Sequence, residues 1–281
     1  MNKKALFWQK TSSGVQCLLC PNLCLIKDNE HGICRKRINQ KGELFATNYA
    51  RTISLALDPI EKKPLYHFHP GTKILSLGAN SCNLSCQFCQ NYATSQKECT
   101  THVILPEELL TYCQTHQIRH VAFTYTEPFT WYEYILDTAP LLQKAGISVV
   151  LVTNGYINPE PLKLLIPYIS AMNIDLKAFS PFFYHNICGG QLQPVLDSIR
   201  FTNRKIHLEI TLLLIETLND DPKELLLLFS FLKDLNPDIP LHISRYFPRY
   251  LCNLPATNTQ KLLQTVAIAK KYLNYVYEGN L

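Results

Sequence analysis

The sequence has few charged side chains, and this scarcity excludes several classes of protein. Only 17% of the residues are Asp, Glu, Lys or Arg, and no long block of like charge occurs, so we expect no disordered tail. The net charge of +5 is mild. Because no basic stripe with interleaved aromatic residues stands out, we expect no nucleic-acid partner. The charge is compatible with either an anionic or a neutral substrate.

Long apolar runs are missing as well. The longest, such as Ile147–Val152 and Leu225–Phe229, are far too short to span a bilayer. No apolar stretch follows the lysines of the first ten residues, as a signal peptide would require. We therefore predict a cytoplasmic protein with no membrane partner. Apolar residues make up 47% of the chain, which is enough for a large core.

Cysteine, in contrast, is plentiful, with eleven residues in the chain. Disulfides are disfavoured in the cytoplasm, so clustered cysteines indicate a metal. The first cluster lies in residues 1–70, which we predict to be an N-terminal cysteine-rich region. The second lies near the start of residues 71–281, which we predict to be a core barrel.

Short apolar runs rich in branched residues alternate with helical patterns in the second region. The predicted strands are Lys73–Leu77, His120–Thr124, Ser148–Thr153, Ala171–Leu176, Ile206–Leu212 and Leu241–Tyr246. The predicted helices begin near Pro106, Phe129, Asp221 and Asn258. This alternation predicts an α/β fold, a partial (βα)6 TIM-like barrel with a mostly parallel sheet. In such folds the chemistry lies at the carboxyl ends of the strands.

Three cysteines follow the first predicted barrel strand. Cys82, Cys86 and Cys89 have the spacing C-x3-C-x2-C. Four cysteines ordinarily hold a [4Fe-4S] cluster, so three would leave one iron open to a small chelating ligand. The alternatives are a zinc site or buried cysteines without a ligand role. A structural zinc ion usually needs four ligands, which this loop alone does not supply.

This triplet, with Phe88 just before its last cysteine, resembles the signature of the radical S-adenosylmethionine (SAM) superfamily. Together with the string Asp58–Phe68, Leu75–Gly78 and Gln90-Asn91, it resembles the AmmeMemoRadiSam system radical SAM enzymes, homologues of pyruvate formate-lyase activating enzyme. The resemblance extends from Cys17 to Asn280. It implies a [4Fe-4S] cluster that cleaves SAM reductively to methionine and a 5′-deoxyadenosyl radical, which abstracts hydrogen from a substrate.

The same resemblance assigns SAM contacts at the ends of later strands. Glu127 matches the glutamate of a Gly-Gly-Glu motif, with Tyr125 and Thr126 in place of the glycines, and would accept hydrogen bonds from the SAM ammonium. The alternative is a carboxylate that only stabilises a helix N-terminus. Thr153 and Asn154 would reach the sugar or the methionine part of SAM, or would form a simple turn.

Alternation places Asn173, Asp175 and Lys177 on one face of the fourth strand. The resemblance implies that Asp175 and Lys177 meet the amino-acid end of SAM, with Lys177 near the carboxylate. A salt bridge between the two is the alternative. It further implies that His242 contacts the adenosine, although a lone strand histidine is often a core residue. Arg245 is a candidate for binding an anionic substrate.

Cys17, Cys20, Cys24 and Cys34 form the first cluster, C-x2-C-x3-C-x9-C. Four cysteines this close predict a bound metal, either zinc or an auxiliary iron–sulfur cluster. A set of reactive thiols is the alternative. Cys188 lies in a segment that resembles the family but has no assigned role. The remaining three are predicted to be small hydrophobes or surface thiols: Cys99, Cys113 and Cys252.

The chain departs from the resembled branch in two places. Ser81 stands where a glycine usually precedes the first cysteine of the triplet. Members also usually continue past the segment that resembles Tyr275–Asn280 into a tail with another pair of cysteines, whereas this sequence stops at Leu281.

The substrate is open at this stage, as a small molecule or a protein. We expect electrons to come from a reductase or from a flavodoxin or ferredoxin. One alternative is a glycyl-radical-enzyme activase, although no ferredoxin-like insert follows the triplet. The other is a non-catalytic metal-binding module, which Glu127, Asp175 and Lys177 disfavour.

Overall fold

The computed structural model describes residues 2–281. Its first part is a lobe of short antiparallel strands, with sheet orders β2-β3-β4 and β1-β6-β5. Alternate residues of β3, β5 and β6 are buried, which gives this lobe a small core of its own. The strands of the lobe are β1 Lys3–Lys4, β2 Trp8–Thr11, β3 Gly14–Cys17, β4 Leu25–Ile26, β5 Arg37–Gln40, β6 Glu43–Ala46 and β7 Arg51–Thr52.

The main sheet has eight strands in the order β16-β15-β14-β13-β12-β11-β9-β8. All neighbours are parallel except β8, which pairs antiparallel with β9. The short strand β10 pairs with β7 instead. The strands of this part are β8 Leu55–Pro59, β9 Lys73–Leu77, β10 His102–Val103, β11 His120–Phe123, β12 Ser148–Thr153, β13 Ala171–Asp175, β14 His207–Leu214, β15 Leu241–Arg245 and β16 Val276–Gly279.

Helices connect the parallel strands, as right-handed crossovers require. Asp221 begins one of them: its side chain accepts hydrogen bonds from the amides of Lys223 and Glu224, and Pro222 occupies the first helical position. The α-helices are α1 Tyr92–Ser95, α2 Pro106–Thr115, α3 Tyr132–Lys144, α4 Pro159–Leu165, α5 Pro181–Phe183, α6 Leu192–Thr202, α7 Pro222–Leu235 and α8 Thr259–Ala269. Short 3-10 turns span Ile60–Lys62, Pro128–Trp131 and Ile166–Tyr168, and a π-helical turn spans Tyr184–Cys188.

The predicted α/β architecture is confirmed. The strands β9, β11, β12 and β13 are almost wholly buried, as parallel strands covered on both faces must be. The parallel part gains a seventh strand, β16, which the sequence pattern did not indicate. The last predicted helix begins at Thr259, directly after the predicted Asn258, and ends at Ala269.

A buried ion pair joins the lobe to the barrel. Arg37 of β5 contacts the carboxylate of Glu133 at the start of α3, and both side chains are almost fully buried. The side-chain amide of Asn48 adds a hydrogen bond to the carbonyl of Thr130, at 3.0 Å.

The main sheet begins before the predicted domain boundary at residue 70. Its edge strand is β8, which pairs with β9. The division into two domains remains a prediction.

Candidate active site

A cavity of about 340 Å³ lies at the carboxyl ends of the parallel strands. This volume is in the range of small-molecule sites, and this edge of a βα-barrel is where its active sites lie. The walls come from the segment after β9 and from the ends of β11 to β15. Its charged and thiol side chains are Lys62, Lys63, Cys82, Cys86, Cys89, Glu127, Asp175 and Lys177.

The three cysteines of the triplet line this cavity together. Their loop rests on the π-helical turn: the amide of Ser85 donates to the carbonyl of Cys188 at 2.9 Å. No three His, Cys, Asp or Glu side chains within residues 2–281 are arranged to hold a single metal ion. The three thiols are grouped around one space, as the ligands of one shared cluster would be.

Cys188 is a neighbour of the site that the sequence did not reveal. Its thiol makes a side-chain hydrogen bond with Cys86. This contact is the largest influence that raises the pKa of Cys86, and burial is the second largest. The next residue, Gly189, has a φ of +70°, and a Cβ there would lie 2.4 Å from the Ser85 hydroxyl. The Cys188-Gly189-Gly190 segment thus supports the cysteine loop by direct packing.

Glu127 has two roles in the local structure. It lines the cavity, and its carboxylate also caps the 3-10 turn through the amide of Phe129, at 3.0 Å. The Thr153 hydroxyl donates to Oε1 at 2.6 Å, and the amide of Asn154 donates to Oε2 at 2.8 Å. Burial raises the pKa of Glu127 to about 7, although these hydrogen bonds lower it. A carboxylate has about four acceptor positions, so one on Oε2 is free for a ligand.

Thr153 and Asn154 both line the cavity. The side-chain amide of Asn154 is 3.8 Å from the Cys82 sulfur and donates to Oδ1 of Asn83 at 2.9 Å. This places a hydrogen-bond donor beside the first cysteine of the triplet.

Asp175 and Lys177 form a charged part of the cavity wall, and Lys177 Nζ is 3.0 Å from Asp175 Oδ2. Burial opposes the charged form of Lys177, but Asp175 together with Cys86, Cys188 and Tyr184 outweighs burial, and the pKa of Lys177 lies well above its ordinary value. Lys177 Nζ is also 6.0 Å from the centre of the Phe88 ring, which lines the same cavity. The salt bridge that was the alternative is present, and it does not exclude the predicted contact with SAM, because both side chains line the cavity.

His242 is not among the residues that line the cavity, so its position does not support the predicted contact with adenosine. Its Nε2 lies 2.6 Å from Glu209, which is fully buried. Ser244, two residues further along β15, lines the cavity instead. His242 and Ser244 lie on the same face of the strand. Alternate residues on one face of a strand lie in successive layers inside a barrel, and His242 occupies the deeper layer.

Two other strand residues also lie outside the cavity lining. Asn173 donates to the carbonyl of Pro64 and accepts from the Thr211 hydroxyl, so it belongs to the deeper layer. Arg245 donates from Nε to the carbonyl of Thr257 at 2.7 Å. The predicted role of Arg245 in binding an anionic substrate therefore has no support from its position.

A group that sequence reasoning missed comes from the turn after β8. Lys63 is buried, and its Nζ is 2.9 Å from Asp58 Oδ2. The Tyr125 hydroxyl donates to the same oxygen at 3.0 Å, and Lys63 lies 4.6 Å from the centre of the Tyr125 ring. In the sequence, the only indication of this group was that the segment Asp58–Phe68 resembles the same radical SAM branch.

Tyr125 itself has a φ of +68°. This left-handed conformation costs a non-glycine residue about 1–2 kcal/mol, which explains why the resembled motif has glycine here. The contacts of its side chain with Asp58 and Lys63 offset that cost.

The four N-terminal cysteines line a second, small cavity of about 20 Å³. All eleven cysteines are free of disulfides. The Arg37 guanidinium donates to the Cys17 sulfur at a distance of 4.0 Å. The sequence prediction that these four residues come together is consistent with this geometry, while the bound metal stays a prediction.

The fold and the cavity define this protein as an α/β barrel with a three-thiol site at the carboxyl ends of its strands. The profile of the radical SAM superfamily matches residues 77–229, and the chain belongs to this superfamily. Membership implies a [4Fe-4S] cluster and SAM as cofactors. The three thiols and the cavity beside them fit both groups.

No helix in residues 2–281 is long and apolar enough to cross a membrane.

A curated relative, an uncharacterized protein of Methanocaldococcus jannaschii, is 39% identical over 288 aligned residues, which cover 99% of this chain and 85% of the relative. Solved structures are similar at lower identity. A domain of pyruvate-formate lyase-activating enzyme from Bacteroides vulgatus is 22% identical, with a TM-score of 0.51 over 57% of this chain and 98% of that domain.

SuiB of Streptococcus suis, bound to S-adenosylmethionine, is 13% identical, with a TM-score of 0.56 over 71% of this chain and 48% of SuiB. A radical SAM methyltransferase from Sphaerobacter thermophilus is 12% identical, with a TM-score of 0.58 over 75% of this chain and 67% of that enzyme. At these identities the likeness shows the fold alone.

Proposed function

We propose that this protein is a radical SAM enzyme in which Cys82, Cys86 and Cys89 hold a [4Fe-4S] cluster. When bound, the cluster supplies the electron that cleaves SAM to methionine and a 5′-deoxyadenosyl radical, which removes a hydrogen atom from the substrate. The observation that carries this proposal is the shared cavity of about 340 Å³, which the three thiols line together with Glu127, Asp175 and Lys177.

The polar wall of the cavity has the charges that SAM needs. The free acceptor position on Glu127 binds the ammonium of SAM, and the contact is charge-assisted when the carboxylate is ionised. Lys177 binds the SAM carboxylate, and Asp175 keeps its ammonium charged and oriented. Thr153 and Asn154 orient the adjoining part of SAM, because Asn154 offers its amide beside Cys82. The Phe88 ring excludes water from this side.

We further propose that the protein belongs to the AmmeMemoRadiSam branch and acts on a small molecule or a partner protein in the cytoplasm. A reductase, flavodoxin or ferredoxin would supply the electron. The buried group of Asp58, Lys63 and Tyr125 supports the branch assignment, because it gives a structural role to the resembled string that begins at Asp58.

The test is anaerobic. The protein is reconstituted with iron and sulfide, reduced with dithionite and mixed with SAM, and 5′-deoxyadenosine is measured by chromatography. We expect product from the wild type and from the control Cys99→Ala, whose cysteine lies outside both clusters. A Cys82→Ala/Cys86→Ala/Cys89→Ala variant should form none. A loaded and reducible wild-type protein that neither binds SAM nor forms 5′-deoxyadenosine would contradict the proposal and favour a non-catalytic metal-binding module.

A further inference from the structure

Two lysines line the large cavity without a part in the SAM site described above. Lys62 and Lys63 lie at the end of the turn that follows β8, and both line the cavity. In the proposed arrangement Glu127 binds the SAM ammonium and Lys177 binds the SAM carboxylate. The other two lysines are therefore available to a second ligand.

The segment that carries these lysines closes at the amino end of the barrel. Pro59, the last residue of β8, pairs with Lys73, the first residue of β9. The amide of Ile60 donates to the carbonyl of Thr72 at 3.0 Å. The loop between them therefore lies at the amino end of β9, whereas the cysteine loop follows its carboxyl end.

This loop crosses the interior of the barrel beneath the cavity. The carbonyl of Pro64 accepts a hydrogen bond from the side-chain amide of Asn173 at 2.7 Å. The amides of Tyr66 and His67 donate to the carboxylate of Glu209 at 3.0 Å and 2.8 Å. Asn173 belongs to the deeper layer of the barrel and is the register partner of Glu209. The loop thus forms the floor of the cavity, opposite the cysteine loop.

The floor carries more positive charge than its surroundings neutralise. Asp58 Oδ2 lies 2.9 Å from Lys63 Nζ, and Asp58 Oδ1 lies 3.5 Å from Lys62 Nζ. The hydrogen bond from Lys63 lowers the pKa of Asp58, so this carboxylate is ionised. Within residues 2–281, no other carboxylate forms an ion pair with either lysine. Two ammonium groups and one carboxylate leave one positive charge.

Lys63 also has hydrogen-bonding capacity that the protein does not use. An ammonium has three N–H donors, and within residues 2–281 Lys63 Nζ donates only to Asp58 Oδ2. The Tyr125 ring, with its centre 4.6 Å away, covers another side of the ammonium. The Lys63 side chain is only 4% exposed, and a buried donor without an acceptor is unfavourable. An acceptor in the cavity would satisfy it.

We propose that Lys62 and Lys63 form a subsite for a carboxylate or phosphate group and that the substrate is a small anionic molecule. A group that binds Lys63 must enter through the cavity because this side chain is buried, and a small molecule can do so where a folded protein surface cannot. Lys62, which is 66% exposed, supplies the second contact. A substrate anchored at the floor extends towards the cysteine loop. The identity of the ligand as the substrate rests on the proposed function, whereas the anion subsite does not.

Calorimetric titration of the reconstituted protein with sodium phosphate and with sodium acetate tests the subsite, with sodium chloride holding the ionic strength constant. We expect the wild type to bind at least one of these anions. Lys62→Met should raise its dissociation constant about tenfold, because a hydrogen bond to a charged group is lost. Lys62→Arg keeps the charge and should bind as the wild type does.

The control Lys163→Met removes an exposed lysine of α4 and should not change the affinity. If the wild type binds neither anion, or if Lys62→Met and Lys163→Met bind it equally, the subsite is overturned.

Lys63 needs a variant that leaves no unpaired charge. Lys63→Met alone would leave the Asp58 carboxylate without its closest partner, which destabilises the fold. Asp58→Asn/Lys63→Met removes both charges, and we expect it to bind the anion about tenfold more weakly than the wild type. Asp58→Asn alone keeps both lysines and should bind at least as tightly as the wild type. An unchanged affinity of the double variant, or weaker binding by Asp58→Asn than by the wild type, would refute the assignment.

Titration at saturating SAM separates this subsite from the SAM site. We expect the anion to bind together with SAM, and Lys62→Met to bind SAM as the wild type does. Loss of anion binding in the presence of SAM would overturn the proposal, because the anion would then have occupied the place of the SAM carboxylate. If the wild type binds the anion but a loaded, reducible cluster neither binds SAM nor forms 5′-deoxyadenosine, the proposed function fails while the anion subsite stands.

Discussion

The Lys177 ammonium lies 3.0 Å from the Asp175 carboxylate, with Lys177 largely buried and Asp175 about 39% exposed. The acidic partner is thus the one that faces solvent, and the lysine is held inside the cavity. Asp175 raises the pKa of Lys177 against the opposing effect of burial, so the Lys177 ammonium presents a positive charge to a ligand.

Replacing this charge should weaken SAM binding. We expect Lys177→Met to raise the dissociation constant of SAM by about 10- to 100-fold, because a hydrogen bond to a charged group contributes about 1.5–3 kcal/mol. Equilibrium dialysis with reconstituted protein measures this. The control Lys163→Met removes an exposed lysine of α4 and should leave the dissociation constant unchanged. Equal affinities for both variants would contradict a role of Lys177 in binding SAM.

The pKa of Glu127 predicts a pH dependence of SAM binding. Because this pKa is raised to about 7, the side chain is mostly neutral at pH 6 and mostly ionised at pH 8. Only the ionised form attracts the SAM ammonium strongly, so affinity should rise about tenfold from pH 6 to pH 8. Glu127→Gln, which keeps the shape and loses the titration, should bind more weakly with a flat profile over this range. A wild-type profile that falls with rising pH would show the opposite sign and refute the assignment.

Glu209 predicts a pH-dependent contribution to stability. Burial opposes its ionisation, but hydrogen bonds from His207, His242 and the amides of Tyr66 and His67 outweigh burial and lower its pKa from 4.5 to about 2. The ionised form therefore stabilises the fold, fully above pH 4.5, and this contribution is lost as the pH falls from 4.5 towards 2.

We expect Glu209→Gln to lower the free energy of unfolding at pH 7 by about 3 kcal/mol, as measured by urea denaturation. The difference from wild type should shrink as the pH falls through this window. Glu278→Gln, at an exposed position of β16, serves as the control and should change little. A difference that grows as the pH falls would mean that ionised Glu209 destabilises the fold, contrary to its lowered pKa.

Two glycines with similar positive φ values provide a matched test of the support under the cysteine loop. Gly189 and Gly146 have φ values of +70° and +74°, but a Cβ at Gly189 would meet the Ser85 hydroxyl at 2.4 Å, whereas one at Gly146 meets nothing within 4 Å. Alanine at either position incurs a similar strain of about 1–2 kcal/mol. We expect only Gly189→Ala to displace Ser85 and to reduce the iron retained after reconstitution. Equal iron contents in the two variants would show that the loop does not depend on this contact.

Local sequence signals predicted the barrel closely. The strands Lys73–Leu77 and Ser148–Thr153 have the predicted bounds, because continuous branched apolar runs indicate strands buried on both faces. The predicted cap at Asp221 is confirmed, since both the capping side chain and the proline act within one turn. The prediction for the segment from Phe129 was less accurate, because Glu127 caps a 3-10 turn before α3 begins at Tyr132.

The sequence by itself determined the strand and helix alternation, the two sets of cysteines and the polar residues that follow the strands, because these depend on spacing of a few residues. Only the tertiary structure decided which polar residues share a cavity. His242 and Ser244 have the same periodicity, but the depth of the barrel separates them. The contacts of Ser81 with Cys34 and of Arg37 with Glu133 join segments far apart in the chain. Such pairings follow from packing of the lobe on the barrel, which leaves no local pattern in the sequence.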